Sequence, residues 1–146
     1  MDNTIEFNQT GGIARLIFNN PARHNALGRQ ELIQITSALA SLAPDTRVLL
    51  IQSGGGSTFC SGAALDQMTS GELTGDQFQA MTNSIAELPI PTLCCLNGNV
   101  FGGGFELAMS CDFRFGVTGA MPQVAHYAHL GGLIFGAGLL WRWGWR

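Results

Sequence analysis

The run Asn97-Gly98-Asn99-Val100-Phe101-Gly102-Gly103-Gly104-Phe105-Glu106-Leu107-Ala108-Met109 holds the residues best suited to do chemistry. It follows an apolar stretch, Thr92 to Leu96, and leads into good helix formers, so it reads as a strand-to-helix turn. Consecutive glycines at such a turn let backbone approach a ligand, because no Cβ stands in the way. The first amides of a helix lack intrahelical acceptors, and the helix dipole adds partial positive charge there. Such an end can hold an oxyanion. Glu106 sits about one turn into that helix, where a carboxylate could give or take a proton beside the oxyanion. The same residues also suit a glycine-rich turn opening an ordinary helix, with a Glu favourable to the dipole. The rest of the chain has to separate the two readings.

The elements that would position this turn follow an alternating pattern. Thr4 to Asn8 and Ile13 to Phe18 are short β-like runs joined by Thr10-Gly11-Gly12, a hairpin signal. Leu32, Ile35, Leu39 and Leu42 fall at helical spacing, and Pro44 stops that helix. Val48 to Ile51 is a solid apolar strand of the kind a parallel sheet buries on both faces. A small-residue loop, Phe59-Cys60-Ser61-Gly62-Ala63-Ala64-Leu65, leads to Asp66-Gln67-Met68. A second amphipathic helix carries Phe78, Met81, Ile85 and Leu88, ended by Pro89 and Pro91. After the glycine turn and the Glu106 helix, a strand is expected from about Phe113 to Val117. Alternating strands and helices predict a parallel α/β sheet, with ligands outside the carboxyl ends of its strands. The loops near Gly62 and Gly103 both leave strands at that edge. Each could aim one amide at a single point, which is what a thioester or ester oxyanion needs.

Composition narrows the class. A chain of 146 residues suits one domain with a sizeable core. Apolar residues make up 46% and charged residues 12%, so disorder is excluded and surface buried in an oligomer is expected. The net charge of −3, with no lysine, argues against a nucleic-acid partner. Cys60, Cys94, Cys95 and Cys111 lack paired metal-ligand spacing, so no metal site and no disulfide framework are expected. The start Met1-Asp2-Asn3 carries no signal-peptide pattern, which predicts a cytoplasmic protein. Leu130 to Leu140 is too short and glycine-rich to span a membrane. A dinucleotide site is excluded by the absence of GxGxxG, and an α/β-hydrolase by the absence of GxSxG.

Asn25-Ala26-Leu27, the Phe59 to Leu65 loop, Asn97-Gly98 through Glu106-Leu107-Ala108, and Cys111-Asp112 stand in the order and spacing of a known family. From about Thr4 to Val117 the chain resembles the crotonase superfamily, the enoyl-CoA hydratases and isomerases. That resemblance implies an α/β fold, a crotonase-like ββα spiral with a parallel sheet, here truncated at the C-terminus. It implies a lyase or isomerase of fatty acid metabolism that binds acyl-CoA thioesters and stabilises an enolate. Coenzyme A would enter as part of the substrate, with no tightly bound cofactor. The amides of Ala63 and Gly103 would form the oxyanion hole, and Glu106 matches a catalytic glutamate. Ala26, Gly62, Ala63, Leu65, Gly102 and Gly103 would hold the CoA thioester. A homo-oligomer, trimer or hexamer, is implied as well.

The departures from the family pattern also carry expectations. Ala64 stands where many relatives have Asp. No carboxylate occupies the region of the second hydratase Glu, Pro122 to His129, and no acidic residue follows Asp112. One Glu alone fits the proton shuttling of an isomerase better than hydration. His126, Tyr127 or His129 could donate a proton instead, or be structural. Residues 1–118 read as a crotonase-like N-terminal core. Residues 119–146 read as a divergent glycine/tryptophan-rich tail, with Trp141, Trp143 and Trp145 in its last six residues. A truncated gene or an out-of-frame end would explain that tail, with a genuine short variant as the lesser alternative. The leading expectation is an acyl-CoA enzyme. The other is an inactive fragment that binds acyl-CoA or a partner chain.

Overall fold

The computed structural model describes residues 4–116. The expected hairpin forms from β1 (Ile5–Thr10) and β2 (Ile13–Phe18), antiparallel, with Thr10 opposite Ile13 across the Gly11-Gly12 turn. From there the chain builds a five-stranded sheet in the order β1-β2-β3-β5-β7, using β3 (Val48–Ser53), β5 (Thr92–Leu96) and β7 (Phe113–Gly116). Every pairing after the hairpin is parallel. A second, two-stranded parallel sheet joins β4 (Thr58–Cys60) to β6 (Asn99–Val100), and an isolated parallel bridge sets Leu27 beside Ala63. Each repeat is therefore a strand in the large sheet, a short strand or bridge beside it, and a helix. The helices are α1 (Arg29–Ala40), α2 (Leu65–Ser70), α3 (Gly75–Ala86) and α4 (Gly103–Ser110).

The small sheet changes where the site lies. The Gly62 loop leaves β4 and the glycine turn leaves β6, so both depart from the small sheet and not directly from the large one. Two residues of strand are too few to show alternation, which is why β6 is invisible to periodicity.

The helices start and stop for local reasons. The Gly28 amide donates to Glu31 Oε2 at 2.9 Å, closing the first turn of α1. α1 ends at Ala40, before Pro44, because Ser41 takes over: its amide and hydroxyl donate to the Ser37 and Ala38 carbonyls. Leu42 thus lies beyond the helix, half-buried against the core. Thr74 and Gln77 cap α3 reciprocally, a contribution of about 1 kcal/mol. Leu88 likewise falls past the end of α3.

The core lies between the large sheet and the helices. Leu16, Phe18, Leu49, Ile51, Ile35, Ile85 and Leu107 are all buried there, each stabilising by about 1.5–3 kcal/mol. The rings of Phe18 and Phe59 meet at 5.4 Å, tilted by 59°, and join the large sheet to the small one. In β3 only Leu49, Ile51 and Ser53 are fully buried, and Val48, Leu50 and Gln52 are half-buried. The expected burial on both faces is thus complete on one face alone among the described residues.

Candidate active site

Two loops run side by side at the ends of β4 and β6. A Cβ added to Gly62 would lie 2.5 Å from the Gly103 amide nitrogen, and one on Gly104 would lie 2.4 Å from the Cys60 carbonyl oxygen. Both neighbours are backbone, so no side chain fits at either position. Gly62 also takes a φ of +92°, which L residues rarely adopt. The glycines are there for close approach. On Gly103 a Cβ would stand 3.3 Å from the Ala63 nitrogen and inside contact of the Phe78 ring.

Several backbone amides around these loops are bonded. The Gly62 amide donates to Cys60 Sγ at 3.3 Å, and Ala64 donates to the Leu27 carbonyl at 2.9 Å. Gly104 donates to Phe101 and Phe105 to Gly102, each at 2.9 Å. The amides of Ala63 and Gly103, by contrast, donate to no protein acceptor among the described residues. Both residues are half-buried. Two neighbouring free donors at the opening of a helix suit an incoming anionic oxygen.

The other expected site residues divide. Ala26 precedes the Leu27 bridge to Ala63 and so lies along the same backbone ledge. Gly102 is exposed at the mouth of the turn, nearest to the Ser61 carbonyl. Leu65 opens α2 and is 79% exposed. Glu106 is exposed and lines a groove of about 480 Å³ between α3 and α4, with Gln79, Asn83, Met109 and Asp112. Neither Ala63 nor Gly103 lines that groove, although Gly103 and Glu106, three residues apart, share a helix face. Phe101 and Phe105 form no apolar wall around these loops among the described residues. Phe101 is 55% exposed, and its amide donates to the Cys60 carbonyl at 3.1 Å. Phe105 packs half-buried against the core. His126, Tyr127 and His129, with the 119–146 tail, lie outside the described residues.

Several residues that the sequence offered only as motif members turn out to be braces. Asn97 Oδ1 accepts from the Ser53 amide and hydroxyl, and its Nδ2 donates to the Ser53 carbonyl, pinning the carboxyl ends of β3 and β5 together. Asp112 Oδ2 accepts from the Thr92 amide and hydroxyl, while the Asp112 amide donates back to that hydroxyl. Cys60 is buried, and burial pushes its thiol up to about 12 against the pull of the Gly62 amide. It is a fixed thiol and no nucleophile. Hydrogen bonding with Cys111, then burial, holds the Cys94 thiol well above its ordinary value. All four cysteines are free, and no three metal-ligating side chains converge among the described residues. Arg23 is engaged with Asp66 at 2.8 Å on the surface. Local desolvation works against the Asp66 charge, but the Gln67 amide and Arg23 together hold its carboxyl below the usual value.

The chain is similar to known proteins in sequence and in fold. The profile of a family described as enoyl-CoA hydratase/isomerase matches residues 8–145. The chain is 37% identical over 134 residues to the enoyl-CoA hydratase domain-containing protein 2, mitochondrial, of Bos taurus; the match takes in 87% of this chain and 45% of that one. It is 30% identical over 121 residues to 4-chlorobenzoyl coenzyme A dehalogenase-2 of Arthrobacter, covering 76% and 44% of the two chains. Among solved structures, an enoyl-CoA hydratase from Mycobacterium avium is similar with a TM-score of 0.69 at 30% identity, over 80% of this chain and 48% of that one. The chain spans about half the length of each of these three relatives.

Proposed function

Because the chain belongs to the enoyl-CoA hydratase/isomerase family, we propose that it processes an acyl-CoA thioester through an enolate. The observation that carries this reading is the pair of amides, Ala63 and Gly103, side by side and without a protein acceptor among the described residues. A thioester oxygen seated there accepts both N–H groups, and the bonds strengthen as charge develops on it. Each such donor contributes about 10²–10³ in rate. Ala26, Gly62, Leu65 and Gly102 border the same ledge and supply backbone for the thioester arm.

Glu106 then moves the proton. It takes one from the α-carbon, the electron pair of that C–H bond enters the enolate, and the proton returns at the γ-carbon with migration of the double bond. One carboxylate suffices for this sequence. Hydration needs a second group to deliver or activate water, and Asp112, the other carboxylate at the groove among the described residues, has one oxygen committed to Thr92. Isomerisation is therefore the favoured chemistry. Oligomerisation would cover the apolar, charge-poor surface, and a stable monomer by light scattering would count against it.

The test uses short 2-enoyl-CoA and 3-enoyl-CoA substrates. Glu106→Gln keeps the hydrogen-bonding length but cannot accept a proton, so turnover should fall about 10²-fold with binding nearly unchanged. Gly103→Pro should damage both, since it removes an oxyanion donor. Full activity in Glu106→Gln would reject Glu106 as the base. Binding of acyl-CoA without turnover by the native chain would favour a binding role instead.

A further inference from the structure

Asn25 is 2% exposed, and its φ of 54° lies in the left-handed region that Asn tolerates better than most residues. Both ends of its side-chain amide are bonded. Oδ1 accepts from the Asn20 amide at 2.8 Å, and Nδ2 donates to the Thr58 and Phe59 carbonyls at 2.9 and 3.1 Å. Its own carbonyl accepts from Cys60 Sγ at 3.3 Å. These bonds lock the loop that ends at Ala26 onto β4. Two residues later, the Leu27 amide donates to the Gly62 carbonyl at 2.8 Å.

The Gly62 carbonyl and the Ala63 N–H belong to one peptide unit. No peptide in the described chain is cis, so the C=O and N–H of that unit point in opposite directions. Anchoring the Gly62 oxygen on Leu27 therefore turns the Ala63 N–H away from Leu27. Gly103 lies against the same nitrogen. We propose that Asn25 is a positioning residue for the oxyanion site: by clamping its loop to β4 it holds the Leu27 amide on the Gly62 carbonyl, and so aims the Ala63 N–H. This rests on the reading of Ala63 and Gly103 as oxyanion donors.

Two variants separate aim from fold. Asn25→Gly keeps the left-handed backbone and removes all three side-chain bonds. Asn25→Asp keeps the shape and the acceptor but faces two carbonyls with a group that cannot donate. The probes are crotonyl-CoA and S-(2-butenyl)-CoA, its thioether counterpart with a methylene in place of the carbonyl. Affinities come from calorimetry, and the stretching frequency of a ¹³C-labelled thioester carbonyl comes from infrared difference spectroscopy. The native chain should prefer the thioester and lower its carbonyl frequency. In both variants that preference should fall about tenfold and the frequency should move back, while thioether affinity stays within about twofold. Equal weakening of both ligands would show that Asn25 only maintains the loop and would overturn the proposal. Survival of the preference in either folded variant would overturn it as well. If the native chain shows no preference and no carbonyl shift, the oxyanion reading itself fails, and the role of Asn25 with it.

Discussion

Ala63 and Gly103 present their amides from loops where Gly62, Gly103 and Gly104 leave no room for a Cβ. Glu106, one turn further along α4, stands exposed over an open groove. The first half of the candidate site is made of backbone, held by short-range packing between β4, β6 and the Asn25 loop. The second half is one long side chain whose surroundings decide its environment. Backbone donors are preorganised by the fold that carries them, so they cost no ordering when substrate arrives. A carboxylate on an exposed face gains its setting only from whatever covers it.

The sharpest way to break the contrast is Gly62→Val. It adds a Cβ against the Gly103 amide at a positive φ, and should destabilise by about 2–5 kcal/mol and abolish thioester binding together. Chemical denaturation with parallel calorimetry reads both. Retained stability would mean that the two loops part easily, and the preorganised half would lose its claim. Next comes Glu106→Gln. The contrast requires its roughly 100-fold turnover loss to leave the melting temperature untouched, since an exposed side chain holds nothing together. A drop in melting temperature would show that the carboxylate is structural.

A smaller effect tests the Cys60 brace. Its thiol is raised in the fold, so its stabilising contribution is complete below pH about 9 and is lost as pH climbs towards about 12. Cys94 and Cys95 shift in the same direction. Urea midpoints at neutral pH and at about pH 10.5 should therefore show alkaline loss of stability, reduced in Cys60→Ala. That variant should itself cost about 1–2 kcal/mol at neutral pH. An alkaline loss that is undiminished in Cys60→Ala would move the cause to the other thiols. Smallest of all, Asp66→Asn breaks an exposed ion pair and should leave the melting temperature unchanged. A clear fall would place the Arg23 loop among the braces of the site.

Much of the frame is legible in the residues themselves. The Gly11-Gly12 hairpin, the apolar runs of β3 and β5, and the spacing of Leu32, Ile35 and Leu39 all report local physics, namely turn chemistry and one-sided burial. Helix ends are less legible, because Ser41 closes α1 before Pro44 could. β6 is unreadable, since two residues become a strand only when β4 lies alongside.

The candidate site divides in the same way. From the sequence alone come the glycine turn, the small-residue loop and the carboxylate three residues beyond Gly103, because residue type and spacing along one chain determine them. The small parallel sheet, the free amides of Ala63 and Gly103, the clamp of Asn25 and the exposure of Phe101 and Glu106 were decided by the tertiary structure. Each of these depends on which backbone from a distant part of the chain arrives within hydrogen-bonding or contact distance. Composition and periodicity do not record that.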